Sequence, residues 1–155
     1  QGIRVNGSTP GIYKFDFTNR RADAFQYFSL TVKQGDKVRV EAWDCFCAGD
    51  TFEIFNGSQF LFSTEGGWDL KCRLHDKNPG YCYSNSGPDS FSYGYVDLDG
   101  GEYVIRISNI NTPYVSGTGF IAFRDICGNN PCCEDDSNCD VNTILNKPRH
   151  QPHWD

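Results

Sequence analysis

Lys37-Val38-Arg39-Val40-Glu41-Ala42-Trp43 alternates without a break. Val38, Val40 and Ala42 share one side, and Lys37, Arg39 and Glu41 share the other. A period of two marks a half-buried strand, because successive side chains leave a pleated backbone on opposite faces. Upstream, Tyr13, Phe15 and Phe17 alternate with Lys14 and Asp16 within residues 11–18, and Phe28, Leu30 and Val32 hold register within residues 25–32. Gln34-Gly35-Asp36 reads as the turn that leads into the opening stretch. Downstream, strands at 51–55 and 59–63 flank Asn56-Gly57, a dipeptide suited to a tight hairpin because both positions tolerate positive φ.

Further along, Phe91, Tyr93 and Tyr95 alternate within 90–96, and Asp99-Gly100-Gly101 reads as a turn into Tyr103, Ile105 and Ile107. A last strand runs over 119–125. Between 65 and 89 the period fades into a loop rich in Gly, Pro and Cys, and no segment carries a helical period. Composition agrees: 155 residues hold twelve Phe, eight Tyr and three Trp but no Met, so β-favouring residues outweigh helix-core residues. The expected fold is all-β: an antiparallel β-sandwich of jelly-roll type with about eight strands over residues 1–126. Residues 127–155 form a cysteine-rich, polar, non-regular C-terminal tail.

Eight cysteines, Cys45, Cys47, Cys72, Cys82, Cys127, Cys132, Cys133 and Cys139, give an even count in a short chain, the mark of a disulfide framework made in an oxidising compartment. Adjacent Cys132-Cys133 suits a zinc site poorly. The sequons at Asn6 and Asn56, and a first residue Gln1 rather than Met, lead to the same expectation of a secreted, glycosylated chain. The formal net charge of −6 argues against nucleic acid, and no apolar run is long enough to span a bilayer.

Trp43-Asp44-Cys45-Phe46-Cys47-Ala48-Gly49-Asp50-Thr51-Phe52-Glu53-Ile54-Phe55-Asn56-Gly57 resembles the middle of a CUB domain, and Gly117-Thr118-Gly119-Phe120-Ile121-Ala122-Phe123 is similar to that family's closing strand. Val32-Lys33-Gln34-Gly35-Asp36 and Gly100-Gly101-Glu102-Tyr103-Val104-Ile105-Arg106-Ile107 resemble secreted pre-peptidase C-terminal domains. Both likenesses span residues 32–125, and the early cysteine pair of CUB domains is missing. They imply a sandwich used for binding or assembly. The CUB likeness also implies Ca²⁺ held through Asp50, with Glu41 and Asn111 as further oxygen ligands. The plain alternative makes Glu41 a solvated strand residue and Asp50 a turn residue.

No catalytic constellation stands out. The only histidines are His75, His150 and His153, and there is no Gly-x-Ser-x-Gly elbow. The expectation is a non-catalytic protein. Two functions follow. One is a self-assembling subunit of an extracellular matrix, coat or filament, its tail docking on a neighbouring copy through Val141, Ile144, Leu145 and Trp154. The other is a carbohydrate-binding module in which Trp43, Trp68, Tyr81 and Tyr83 stack on sugar rings. The plain alternative is that these aromatics cover the core.

Overall fold

The computed structural model describes residues 2–6, 11–18, 23–66 and 75–127. Nine strands and one helix occur among them: β1 (Gly2–Asn6), β2 (Gly11–Thr18), β3 (Tyr27–Asp44), β4 (Phe46–Cys47), β5 (Thr51–Asn56), β6 (Gln59–Ser63), β7 (His75–Asp76), α1 (Pro79–Ser84), β8 (Tyr93–Asn111) and β9 (Ser116–Cys127). The expected antiparallel sandwich is present. Strand β1, which has too little alternation to stand out in the sequence, pairs parallel with β3.

Two long strands organise the domain. Residues 27–31 of β3 pair with β1 and 27–32 with 101–106 of β8, and 105–111 of β8 pair with β5, which pairs with β6. This is the first sheet. Residues 37–44 of β3 pair with β9 and 37–43 pair with 93–99 of β8, while β9 also pairs with β2. This is the second sheet. Strands β3 and β8 therefore cross from one sheet to the other together.

The crossing corrects two sequence expectations. Gln34-Gly35-Asp36 and Asp99-Gly100-Gly101 do not reverse the chain. They face each other inside continuous strands, where the register shifts between Val32 and Lys37. Gly35 has φ 90°, and a β-carbon on Gly100 would press on the Gln34 backbone, so glycine is needed on both sides of the bend.

The inner faces of the two sheets meet in one apolar core. Phe52 of β5 lies edge-on to Phe15 and Phe17 of β2, with ring centroids 5.0 and 5.5 Å apart. Phe28 of β3 meets Phe123 of β9 at 5.6 Å. Every inward residue expected from alternation in residues 11–43 is buried except Tyr13, which is half-buried. Burying such a ring is worth about 1.5–3 kcal/mol, so these rows supply the main drive for sheet packing.

A second core lies on the outer face of the second sheet. Trp43, Phe120 and Ala122 there are roofed by Tyr83 of α1 and by Phe91. Helix α1 corrects the expectation of a helix-free chain. It is too short to show a period, and it forms because Pro79 fits the first turn while the Asn78 side chain caps the Tyr81 N–H at 3.1 Å. The Cys45–Cys82 disulfide ties this cover to the end of β3.

Candidate functional site

Glu41 stands on the outer face of the second sheet, as its parity requires, but the covering loop makes that face an interior. Its Oε2 accepts hydrogen bonds from the Tyr83 hydroxyl at 2.8 Å and the Tyr93 hydroxyl at 2.6 Å. Its Oε1 accepts from Arg124 Nε at 2.9 Å, and both members of this ion pair are buried. Breaking such a pair from one side costs about 3–5 kcal/mol, since a charge is left unpaired in a dry place. Burial, reinforced by the adjacent Glu41 carboxylate, holds the Tyr93 hydroxyl far above the usual tyrosine range.

Asp44, the last residue of β3, organises the loop that follows. Its Oδ1 accepts from the Cys45 N–H at 2.8 Å, and its Oδ2 accepts from the N–H groups of Gly49 and Asp50, each at 3.1 Å. Asp50 is buried beside it, with Oδ1 lacking a partner. Burial, then the neighbouring Asp50, pushes the Asp44 carboxyl well above the ordinary range. Burial likewise lifts Asp50, to about 6. Tyr114 closes over this loop, its hydroxyl donating to the Ala48 carbonyl at 2.7 Å.

These positions bear on the calcium expectation. Glu41 has both oxygens engaged and a guanidinium beside it. Asn111 sits at the exposed end of β8, in register with Thr51. Among the described residues no three His, Cys, Asp or Glu side chains group as a metal site. Glu41 is thus committed to Tyr83, Tyr93 and Arg124 rather than offered to a cation together with Asp50 and Asn111.

The sugar-stacking set is not assembled either. Trp43 and Tyr83 are fully buried in the second core, their ring centroids 5.0 Å apart. Tyr81 is exposed on α1, and Trp68 lies outside the described residues. Of the cysteines, Cys45 pairs with Cys82, Cys47 is also disulfide-bonded, and Cys127 ends β9. Cys72, Cys132, Cys133 and Cys139 lie outside the described residues, as do Val141, Ile144, Leu145 and Trp154 of the tail and both tail histidines. Asn6 is exposed at the end of β1. The Asn56 side chain accepts the Val104 N–H at 2.9 Å.

Two surfaces escaped sequence reading. The first is a cross-strand row on the outer face of the first sheet. Tyr27 of β3 pairs with Arg106 of β8, Arg106 with Phe55 of β5, and Phe55 with Phe60 of β6. The Arg106 guanidinium lies 5.7 Å from the Phe55 ring centroid, and Phe55 meets Phe60 edge-on at 5.7 Å. Such a row is legible only once the register of four strands is known. The second is a cleft of about 750 Å³ where β5 and β8 meet residues 65–66 and 87–88.

The sequence matches no known protein family and no curated protein. Among solved structures, the chain is similar to the pre-peptidase C-terminal domain of a collagenase from Bacillus anthracis, at 8% identity and TM-score 0.45 over 80% of this chain and 95% of that one. It is also similar to a periplasmic inhibitor of g-type lysozyme from Aeromonas hydrophila, at 13% identity and TM-score 0.40 over 81% of this chain and 97% of that one. The first is a domain of the kind that residues 32–36 and 100–107 resemble.

Proposed function

We propose that this chain is an exported, non-catalytic structural protein that associates with a second copy of itself through the outer face of its first sheet. The row Tyr27, Arg106, Phe55, Phe60 carries the reading. The second sheet roofs Trp43 and Phe120 with a loop and a helix and leaves only Tyr95, beside Arg39, 47% exposed among its described outer aromatics. The first leaves Tyr27 43%, Val104 44% and Phe60 52% exposed around an arginine. Aromatic residues and arginine are the side chains that interfaces favour.

The order of the row also suits a two-fold axis through its middle. Strands lie about 4.8 Å apart, so the four side chains span roughly three such steps. Turning one copy over the other sets Tyr27 against Phe60 and Arg106 against Phe55, giving two ring contacts and two cation–π contacts. The buried disulfide agrees with export. Among the described residues no helix is long and apolar enough to cross a membrane.

The test is light scattering across a concentration series, on oxidised protein made without N-glycans, because Asn6 and Asn56 border this face. The native chain should grow to a dimer or larger species. Phe60→Ser and Arg106→Glu should each remain monomeric with near-native circular dichroism. A native chain that is monomeric at every concentration, or variants that associate as it does, would overturn the reading.

A further inference from the structure

The cleft beside the aromatic row is a built site, framed by hydrogen bonds between buried groups. Its floor is β5, where the Phe52 N–H donates to Thr64 Oγ1 at 2.9 Å. The Ser92 hydroxyl reaches both the Asp50 carbonyl, at 2.6 Å, and Thr64 Oγ1, at 3.0 Å. Glu65 and Tyr93 exchange two backbone hydrogen bonds at 3.1 and 3.0 Å, which fixes the far wall. Gly66 and Gly87 cross so closely that a β-carbon on Gly66 would overlap the Gly87 carbonyl, and this contact closes one end.

Around this frame stand Thr51, Glu53, Glu65, Asn109 and Asn111, while the Tyr93 ring turns away into the second core, its hydroxyl on Glu41. Asn109 has φ 45°, a left-handed backbone that asparagine tolerates better than most residues. That backbone aims its amide across the sheet, and Nδ2 donates to Glu53 Oε1 at 2.7 Å. Asn111 and Thr51 are register partners on the same two strands, one step further along. Strain of this kind gathers where a side chain must be held in place.

The donor set selects a ligand class. Amides, carboxylates and a hydroxyl present acceptors and donors in alternation, in planar groups whose two polar atoms match a pair of neighbouring hydroxyls. With two carboxylates and neither Lys nor Arg among the described lining residues, the cleft repels phosphate and sulfate. Its polar rim penalises a purely apolar ligand, whose binding would strip water from these groups with nothing in return. The volume of this open cleft is enough to seat a molecule of several rings. We infer that this cleft binds a short neutral oligosaccharide, with Glu53, Asn109 and Asn111 bonding to its hydroxyls. The site adjoins the self-association row along β5, with Glu53 two residues before Phe55, but its donor set shares no residue with that row.

Isothermal titration of the full oxidised chain tests this against tetrasaccharides of β-linked glucose, mannose, xylose and N-acetylglucosamine, and of α-linked glucose, with a glucosamine oligomer as the cationic comparison. At least one neutral sugar should bind in the micromolar to millimolar range. Asn111→Ala and Asn109→Gly, the latter keeping the left-handed backbone, should each weaken that binding at least tenfold, whereas Phe60→Ser should leave it unchanged. The inference fails if no neutral sugar binds, if only the glucosamine oligomer binds, or if the two asparagine variants bind as the native chain does. Circular dichroism and melting separate loss of the site from loss of the fold.

Discussion

Asp44 and Asp50 bring two carboxyl groups into one dry place, and three backbone N–H groups already point at Asp44. The unpartnered Oδ1 of Asp50 gains a role if the pair holds one proton between them. Both carboxyls sit above the unfolded value of about 3.9, so between pH 4 and about 6 the native state binds more protons than the unfolded chain. The pair's contribution is therefore whole below about pH 4 and fades as pH rises through about 6, by at most about 1.4 kcal/mol per pH unit for one proton. Urea midpoints should accordingly fall between about pH 4.5 and 7.5, and Asp50→Asn should flatten that slope and be the more stable protein at the upper end. An unchanged slope in the variant would show that the proton resides elsewhere. At this scale the sequence was half legible. Parity gave Glu41 its side of the sheet, but parity cannot see that residues 79–93, some forty positions later, roof that side with Tyr83 and Tyr93.

Strands β2 and β9 show how an element can depend on what a residue lacks. Phe15 lies opposite Gly119 and Phe17 opposite Gly117, and a β-carbon on either glycine would overlap the facing ring. The rings thus lie on bare backbone and still point into the core. Gly119→Ala and Gly117→Ala should each cost about 1–3 kcal/mol in denaturant unfolding, the usual range for forcing extra volume into a packed place. Ser116→Ala, one residue before this pattern, should be close to neutral. The strands themselves were legible because alternation is local. The bend was not: Gln34-Gly35-Asp36 and Asp99-Gly100-Gly101 carry real turn chemistry, and only their pairing across β3 and β8 turns two apparent loops into one bulge. The row from Tyr27 to Phe60 was hidden for a related reason, since its members come from four strands.

The whole molecule has two cores of unequal standing. The inner one is held by both sheets. The outer one is held by a loop, a short helix and the Cys45–Cys82 link. Replacing Cys45 and Cys82 together by alanine should lower stability by about 2–5 kcal/mol, as loss of a native bridge does in small exported domains. The loss should begin in the outer core. In a chain carrying Trp68→Phe and Trp154→Phe, Trp43 emission should shift to the red at lower urea than the loss of sheet circular dichroism. Coincident transitions would mean that the cover folds and unfolds with the sandwich as one unit. The cysteine count foretold a stapled chain, while the pairing waited on geometry, because α1 must bring Cys82 to the end of β3 first.

Because β3 and β8 each belong to both sheets, the domain has no seam at its middle. Anyone wishing to open the chain for new termini, a reporter insertion or a complementing fragment would be drawn to the glycines at 35 and 100, which look like loop tips on paper. A cut there would sever both sheets at once. The Gly57 turn between β5 and β6 leads into an outer strand, and sequence added there leaves the backbone of both shared strands uncut, at the cost of the Gly57 bond to Val104.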